Sequence, residues 1–481
     1  MMTKRNGRNF SEQISLIYDR LVGVFNPKAA FRRAQFRAAY EALDQSRIRK
    51  KRSGTGGTGD SQLTGSSLSQ LREIHRDYMR NNPLIEGMLL TVLDEIFGEE
   101  VKVQAQTEDP KWNEQAEQLW QDEMVVKPCD VTGRFNINQA HGLQYLGYLR
   151  DGDSFIIYLD DAIQLIEGDQ VGTPYGGIAA QNYDVVNGIA YSKQTGRVIG
   201  YYIGQPDRKD SCYIRAESYR QYLAEQVHHV FSPQRVSQSR GEPVLKAAIS
   251  HIDKNEKYID AELIGACLNA SYALAVIRKD AGAIPPAFTG GISSTGEDEF
   301  GNRLEKMEPG TIEYLQPGED IKGVGMERPG TNFNLFVDRV SAYIGRPLAL
   351  PLMLITGDYS GATFMNARIA LQQARSRWQR EQRWVLNPMV SRTWRWHVDR
   401  MILQDKLSQR ADAYKHLVQC RRWTYVDPFK EAMADRTELE NATTTRRDIC
   451  ARQGRDYEDV ARQLDKEGGP PIRGNKNANA E

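Results

Sequence analysis

The chain has 481 residues, with 63 Lys plus Arg against 63 Asp plus Glu, a formal net charge of +0, and 40% hydrophobic and 26% charged residues. This balance excludes wholesale disorder and a dedicated tight binder of nucleic acid, whose affinity comes from neutralised phosphates. No apolar run approaches the roughly 18 residues of a membrane-spanning helix, and Met1 to Phe10 lacks the apolar core of a secretory leader.

Residues 1–52 form a basic arm, with thirteen Lys or Arg against four Asp or Glu, ending in Arg47-Ile48-Arg49-Lys50-Lys51-Arg52. It is either a solvated amphipathic segment or an arm for a neighbouring subunit or nucleic acid. Ser53 to Asp60 reads as a flexible Gly-rich linker. It lacks the Gly-Lys-Ser/Thr of a phosphate loop, so nucleotide binding is not expected there. Helix is predicted over 67–97 from Leu68, Leu71, Ile74 and Tyr78, with a restart at Pro83. A strand is expected at 101–107 and a helix at 112–122. Alternating strands follow at 154–166 and 185–203, with turns at Asn187-Gly188 and Thr195-Gly196. A long helix is expected over 251–279, about 43 Å in length. A Gly- and Pro-rich β lobe follows at 280–331, then a helix at about 332–346. A second long helix starts near Thr363, and Asn387-Pro388 should kink it. Residues 428–466 read as short polar helices and the end from Gly468 as disordered.

Enzyme chemistry finds little support. The seven histidines show neither H-E-x-x-H nor an i, i+4 pair. His228 and His229, adjacent on a strand, should face opposite sides. No G-x-S-x-G elbow is present. The five cysteines are dispersed and form no C-x-x-C pair, so neither structural zinc nor a disulfide framework is expected. Acidic clusters such as Asp94-Glu95, Glu99-Glu100 and Glu297-Asp298-Glu299 leave a two-metal nucleic-acid enzyme open, although solvated faces explain them as well.

Four stretches carry a resemblance: Leu71 to Pro83 (LREIHRDYMRNNP); Asp151-Gly152-Asp153; His229 to Pro243 (HVFSPQRVSQSRGEP), followed by Tyr258 to Leu263; and Gly357-Asp358-Tyr359-Ser360 with Asn366-Ala367-Arg368. Their order and spacing resemble the lambda-type family of tailed-phage portal proteins, a resemblance that extends over about residues 15–465. Asp153 departs from the pattern by standing where the family would show Glu.

The resemblance implies an α+β portal fold and a non-enzymatic, twelve-membered ring at a single capsid vertex, assembled in the host cytoplasm. The ring would conduct double-stranded DNA in packaging and ejection. It implies no cofactor, metal or membrane. The implied partners are copies of the chain itself, double-stranded DNA, the large terminase subunit, the major capsid and scaffold proteins and head-tail connector proteins. By the same resemblance, 1–59 is an arm and linker, 60–250 the first part of a wing, 251–279 and 332–347 stem helices and 280–331 a clip. Residues 348–363 carry a tunnel loop, 364–427 the kinked helix and the rest of the wing, 428–466 a crown and 467–481 a tail. Expected DNA-channel residues are Thr356, Gly357, Asp358, Tyr359, Ser360 and Gly361. Expected docking residues are Glu297, Asp298, Glu299, Arg303 and Lys306. Trp378, Arg380, Trp384, Trp394 and Arg395 are expected at the subunit interface, because Trp and Arg are enriched there. The alternatives are a metal-dependent nuclease or recombinase, or another structural head protein.

Overall fold

The computed structural model describes residues 59–61, 63, 65–174, 182–206, 214–271, 275–278, 294–297, 303–305, 319–322, 332–423, 428–452 and 457–467. The basic arm and the segment from 468 onward lie outside them. The chain divides into two compact units, Ala248–Ile344 and the remainder on either side of it.

The larger unit begins with helices α1 (Gly65–Asn81) and α2 (Pro83–Ile96). The predicted break is an N-cap: the Asn82 carboxamide oxygen accepts from the Leu84 and Ile85 N–H groups at 3.0 and 3.1 Å. Pro83 sits in the first turn, where no N–H is needed. Strand β1 (Lys102–Ala105) and helix α3 (Pro110–Trp120) follow, and α3 runs into a π turn at Gln121–Val126. Helix α4 (Ile137–Asp151) was not anticipated; an Asn136/Gln139 capping box starts it.

Seven strands come next: β2 (Asp153–Tyr158), β3 (Ile163–Glu167), β4 (Tyr183–Val186), β5 (Ile189–Ser192), β6 (Val198–Pro206), β7 (Ile214–Leu223) and β8 (Val227–Phe231). They make two antiparallel sheets, ordered β3-β2-β8 and β4-β5-β6-β7. The β4–β5 hairpin turns through Asn187 and Gly188, both at positive φ (51° and 84°), as a two-residue hairpin requires. Phe155, Ile157, Ile166, Val171, Ile189, Tyr201, Ile203 and Val227 form one buried apolar cluster.

Every residue of β2 is buried, so its two faces do different jobs. Phe155 and Ile157 enter the apolar cluster. On the other face, Ser154 donates to the Gln144 carbonyl at 2.7 Å and Tyr158 meets Thr393 at 2.9 Å.

In the Ala248–Ile344 unit, helix α5 (Ile249–Ser271) is followed by β9 (Ala275–Arg278), β10 (Ser294–Glu297), β11 (Arg303–Glu305), β12 (Glu319–Lys322) and α6 (Phe333–Gly345). The helix expected to reach 279 ends at Ser271, at about 34 Å. Ala275–Arg278 instead pairs antiparallel with Glu319–Lys322. A short apolar run such as Ala-Val-Ile fits either state until a partner strand decides it. Tyr258 meets Phe333 and Phe336 at 5.7 and 4.7 Å, joining α5 to α6.

The larger unit resumes with α7 (Leu352–Thr356), α8 (Phe364–Glu381) and α9 (Asn387–Leu403). A π turn at Gln382–Leu386 separates α8 from α9 and places Pro388 in the first turn of α9. The proline therefore starts a helix after a widened turn, where its missing N–H costs least. Strand β13 (His416–Gln419) pairs with β1, and three short helices follow, α10 (Pro428–Glu440), α11 (Arg446–Arg452) and α12 (Tyr457–Lys466). No described helix is long and apolar enough to cross a membrane.

Candidate functional site

Three of the four sequence stretches meet in one buried ionic cluster. Helix α1 supplies Arg72 and Arg76, one turn apart. The α4–β2 junction supplies Arg150, Asp151 and Asp153, and the segment after β8 supplies Arg240. The Asp153 carboxylate, wholly buried, pairs with Arg240 Nε at 2.5 Å and Arg72 Nη2 at 2.8 Å. Arg240 places all five of its N–H donors. They go to Asp153 and to the carbonyls of Gly168 (2.6 Å), Val171 (2.8 Å) and Asn187 (2.9 Å). Its guanidinium also lies 5.2 Å over the Phe155 ring. Arg76 bridges Asp151 (2.7 Å) and Asp169 (2.5 Å), and Arg150 closes on Asp151 at 2.8 Å.

Burial alone would push the Asp153 carboxyl up, but Arg240 and Arg72 hold it well below the usual carboxylate range. His229 stacks between Phe155 and Phe231 (4.2 and 4.3 Å) with Nε2 3.5 Å from Asp153. Burial lowers its pKa, and Asp153 only partly offsets that.

Two glycines allow the stretches to approach. Gly152 has φ +92°, and a Cβ there would lie 2.3 Å from the Glu242 backbone; one on Gly241 would meet the Gly152 carbonyl. Isolated carboxylates and guanidiniums could not be buried here, since each costs several kcal/mol without a partner. The cluster fixes α1, β2 and β8 against one another and offers no reactive group. Among the described residues, no three His, Cys, Asp or Glu side chains assemble a metal-holding group.

The fourth stretch lies apart. Every residue from Thr356 to Asn366 is exposed. Gly357 ends α7 in the left-handed region (φ +69°), its N–H reaching the Met353 carbonyl at 3.1 Å. The Asp358 carboxylate accepts from the Ser360 N–H at 2.8 Å, and Thr363 caps α8. The segment is closed by its own polar side chains while Tyr359, Phe364, Met365 and Ile369 stay 50–60% exposed.

The expected interface residues separate into two groups. Trp378 and Trp394 are fully buried in their own chain, a correction to the expectation. Trp378 donates to the Leu348 carbonyl at 3.2 Å, and Trp394 packs on Trp120 at 5.4 Å. Trp384 is 68% exposed, with the exposed Arg380 5.3 Å over its ring, and Arg395 is also exposed. Among the expected docking residues, Glu297 and Arg303 are register partners in the antiparallel β10–β11 pair. Asp298, Glu299 and Lys306 lie outside the described residues.

Comparison with known proteins places this geometry in context. A profile of phage portal proteins of the lambda family matches residues 46–382. A probable portal protein of Halomonas phage phiHAP-1 is 25% identical over 351 residues, 70% of this chain and 67% of the relative. Among solved structures, a chain from the virion of a native gene transfer agent particle aligns at TM-score 0.43 and 14% identity, over 87% of this chain and 97% of that one. Another, from the neck of the native particle computed with C12 symmetry, aligns at TM-score 0.43 and 14% identity, over 82% and 94%.

Proposed function

The chain belongs to the lambda family of phage portal proteins, and from that premise we propose that about twelve copies close into a ring at one capsid vertex. The ring admits double-stranded DNA during packaging and releases it during ejection. The family match across residues 46–382 carries this reading. In it the protein is a non-enzymatic conduit, and a separate terminase motor supplies the energy. The nuclease or recombinase alternative is not favoured by that match.

A closed ring needs a heterologous interface whose rotation returns to the start. Permanent interfaces of this kind bury upwards of about 2,000 Å². Trp384 with Arg380 and Arg395 are the exposed anchors left for it, since Trp378 and Trp394 are spent on the protomer's own core. Duplex DNA carries one charge per about 1.7 Å of axis. A ring of channel-facing Lys or Arg would hold it fast. The exposed 356–361 segment carries one charge, the acid Asp358, which suits steric contact with a sliding duplex. The wing, stem, clip, tunnel loop and crown follow the boundaries implied by resemblance, with the stem shortened to α5 and α6. The clip around Glu297 and Arg303 docks the motor and later the connector proteins.

One packaging assay separates the two roles. Deleting 357–361 is expected to leave capture of the large terminase subunit intact and to lower the DNA retained per capsid. Reversing Glu297 to Arg is expected to weaken motor capture first. Unchanged retention in the deletion removes the channel role, and unchanged capture in Glu297→Arg removes the docking role.

A further inference from the structure

The π turn after α8 borders a cleft of about 190 Å³ that the ring reading does not use. At about 30 Å³ per water, it has room for one hydrated oxyanion. Arg383 and Arg422 line it together with Gln379, Gln382, Asn387 and Cys420, and no carboxylate does. Both guanidiniums are exposed and neither carries an ion pair among the described residues. The contrast with Arg421 is instructive. That side chain is spent on the Asp94 carbonyl and on Glu95 at 3.9 Å, whereas Arg422 beside it is left to the cleft.

The surrounding contacts hold the donors in place. Gln382 Nε2 donates to the carbonyls of Ile96 and Arg421, both at 2.9 Å, pinning the segment after β13 that carries Arg422 to the π turn that carries Arg383. The buried Cys420 thiol donates to Asn387 Oδ1 at 2.9 Å. That contact commits the carboxamide oxygen and leaves the Asn387 amide N–H groups as donors. Two guanidiniums with the carboxamides of Gln379 and Asn387, around an acid-free hollow, match the acceptor oxygens of a single oxyanion. A duplex backbone would call for a ribbon of cations, and this is one concave point.

We infer that this cleft is an oxyanion site, taking a phosphate-type group between Arg383 and Arg422. Isothermal titration of the full-length protein with inorganic phosphate, at constant ionic strength set by chloride, tests it. Saturable binding is expected in the wild type. Arg383→Gln and Arg422→Gln should each weaken it about tenfold or more, as expected for losing one charge-assisted contact. Both substituted positions are exposed, so circular dichroism should be unchanged. A short duplex that competes with phosphate would assign the oxyanion to a nucleic-acid backbone, and a duplex that does not would assign it to a free ion. No saturable binding in the wild type, or equal binding in either variant, overturns the inference.

Discussion

Asp153→Asn is expected to cost about 3–5 kcal/mol of folding stability, the loss seen when one partner of a buried ion pair is removed. The substitution keeps the side-chain shape and takes away the charge. Arg240, with its side chain 2% exposed, would then lose its counter-charge, and Arg72, 4% exposed, would keep only the half-buried Asp169 at 2.9 Å. Against the 5–15 kcal/mol typical of a folded domain, that loss should appear as poor soluble yield and a denaturant midpoint shifted sharply down at unchanged slope. Asp358→Asn, in the exposed loop, is the matched control and should change stability by less than about 0.5 kcal/mol. An Asp153→Asn midpoint close to the wild type would mean that the cluster does not hold the fold.

Acidification should produce a comparable loss through three histidines. Burial lowers the pKa of His141 to about 3, with a small further push from His228. Burial, then His229 and Arg392, lower His228 to about 4. Burial and Arg400 lower His397 to about 3. All three fall from an ordinary 6.5. His141 is fixed as the Nε2–H tautomer: Thr393 gives its one proton to the Met389 carbonyl (3.2 Å) and must accept from His141 (2.9 Å) and Tyr158 (2.9 Å). Through these three histidines the unfolded chain takes up three protons below pH 6.5 that the folded chain refuses until about pH 4 and below, and His75, His229 and His416, also lowered by burial, add to the same trend. Stability is therefore complete above pH 6.5 and falls as pH drops, by about 4 kcal/mol per unit near pH 5. Between pH 7 and 5 the loss is about 6 kcal/mol. Asp153 and Asp151, with lowered pKa values, keep their contribution throughout that window and lose it only at lower pH. Urea midpoints at pH 7.5, 6 and 5 measure the sum, and His141→Gln should reduce the pH slope by about 1.4 kcal/mol per unit near pH 5. A flat midpoint across this range would contradict it.

Local signals were legible where chemistry is local. The Asn82-Pro83 cap, the Asn187-Gly188 hairpin and the helices Ile249–Ser271 and Phe333–Gly345 all follow from residues a few positions apart. The ionic cluster does not, because its partners are separated by some 80 residues or more, as Arg72 from Asp153 and Asp153 from Arg240. Charges set among apolar neighbours, as in Leu71-Arg72 and Gly152-Asp153-Ser154-Phe155, are the signal that could have exposed it. Helix α4 escaped notice because Gly142, Gly147, His141 and Gln144 blur its apolar face, although His141 and Gln144 are buried. Trp378 and Trp394 part from the exposed Trp384 by helical phase. Trp378 and Trp384 are six residues apart, about 600° of rotation, so they cannot share a face, and the intervening π turn shifts the phase again for Trp394.

Ring formation is tested most directly by negative-stain imaging of the purified full-length protein, paired with its solution mass. The expected result is a disc with a central pore and a mass about twelve times that of the 54.6 kDa protomer. A folded protein that stays monomeric at every concentration, with no pierced assembly in any field, would contradict it.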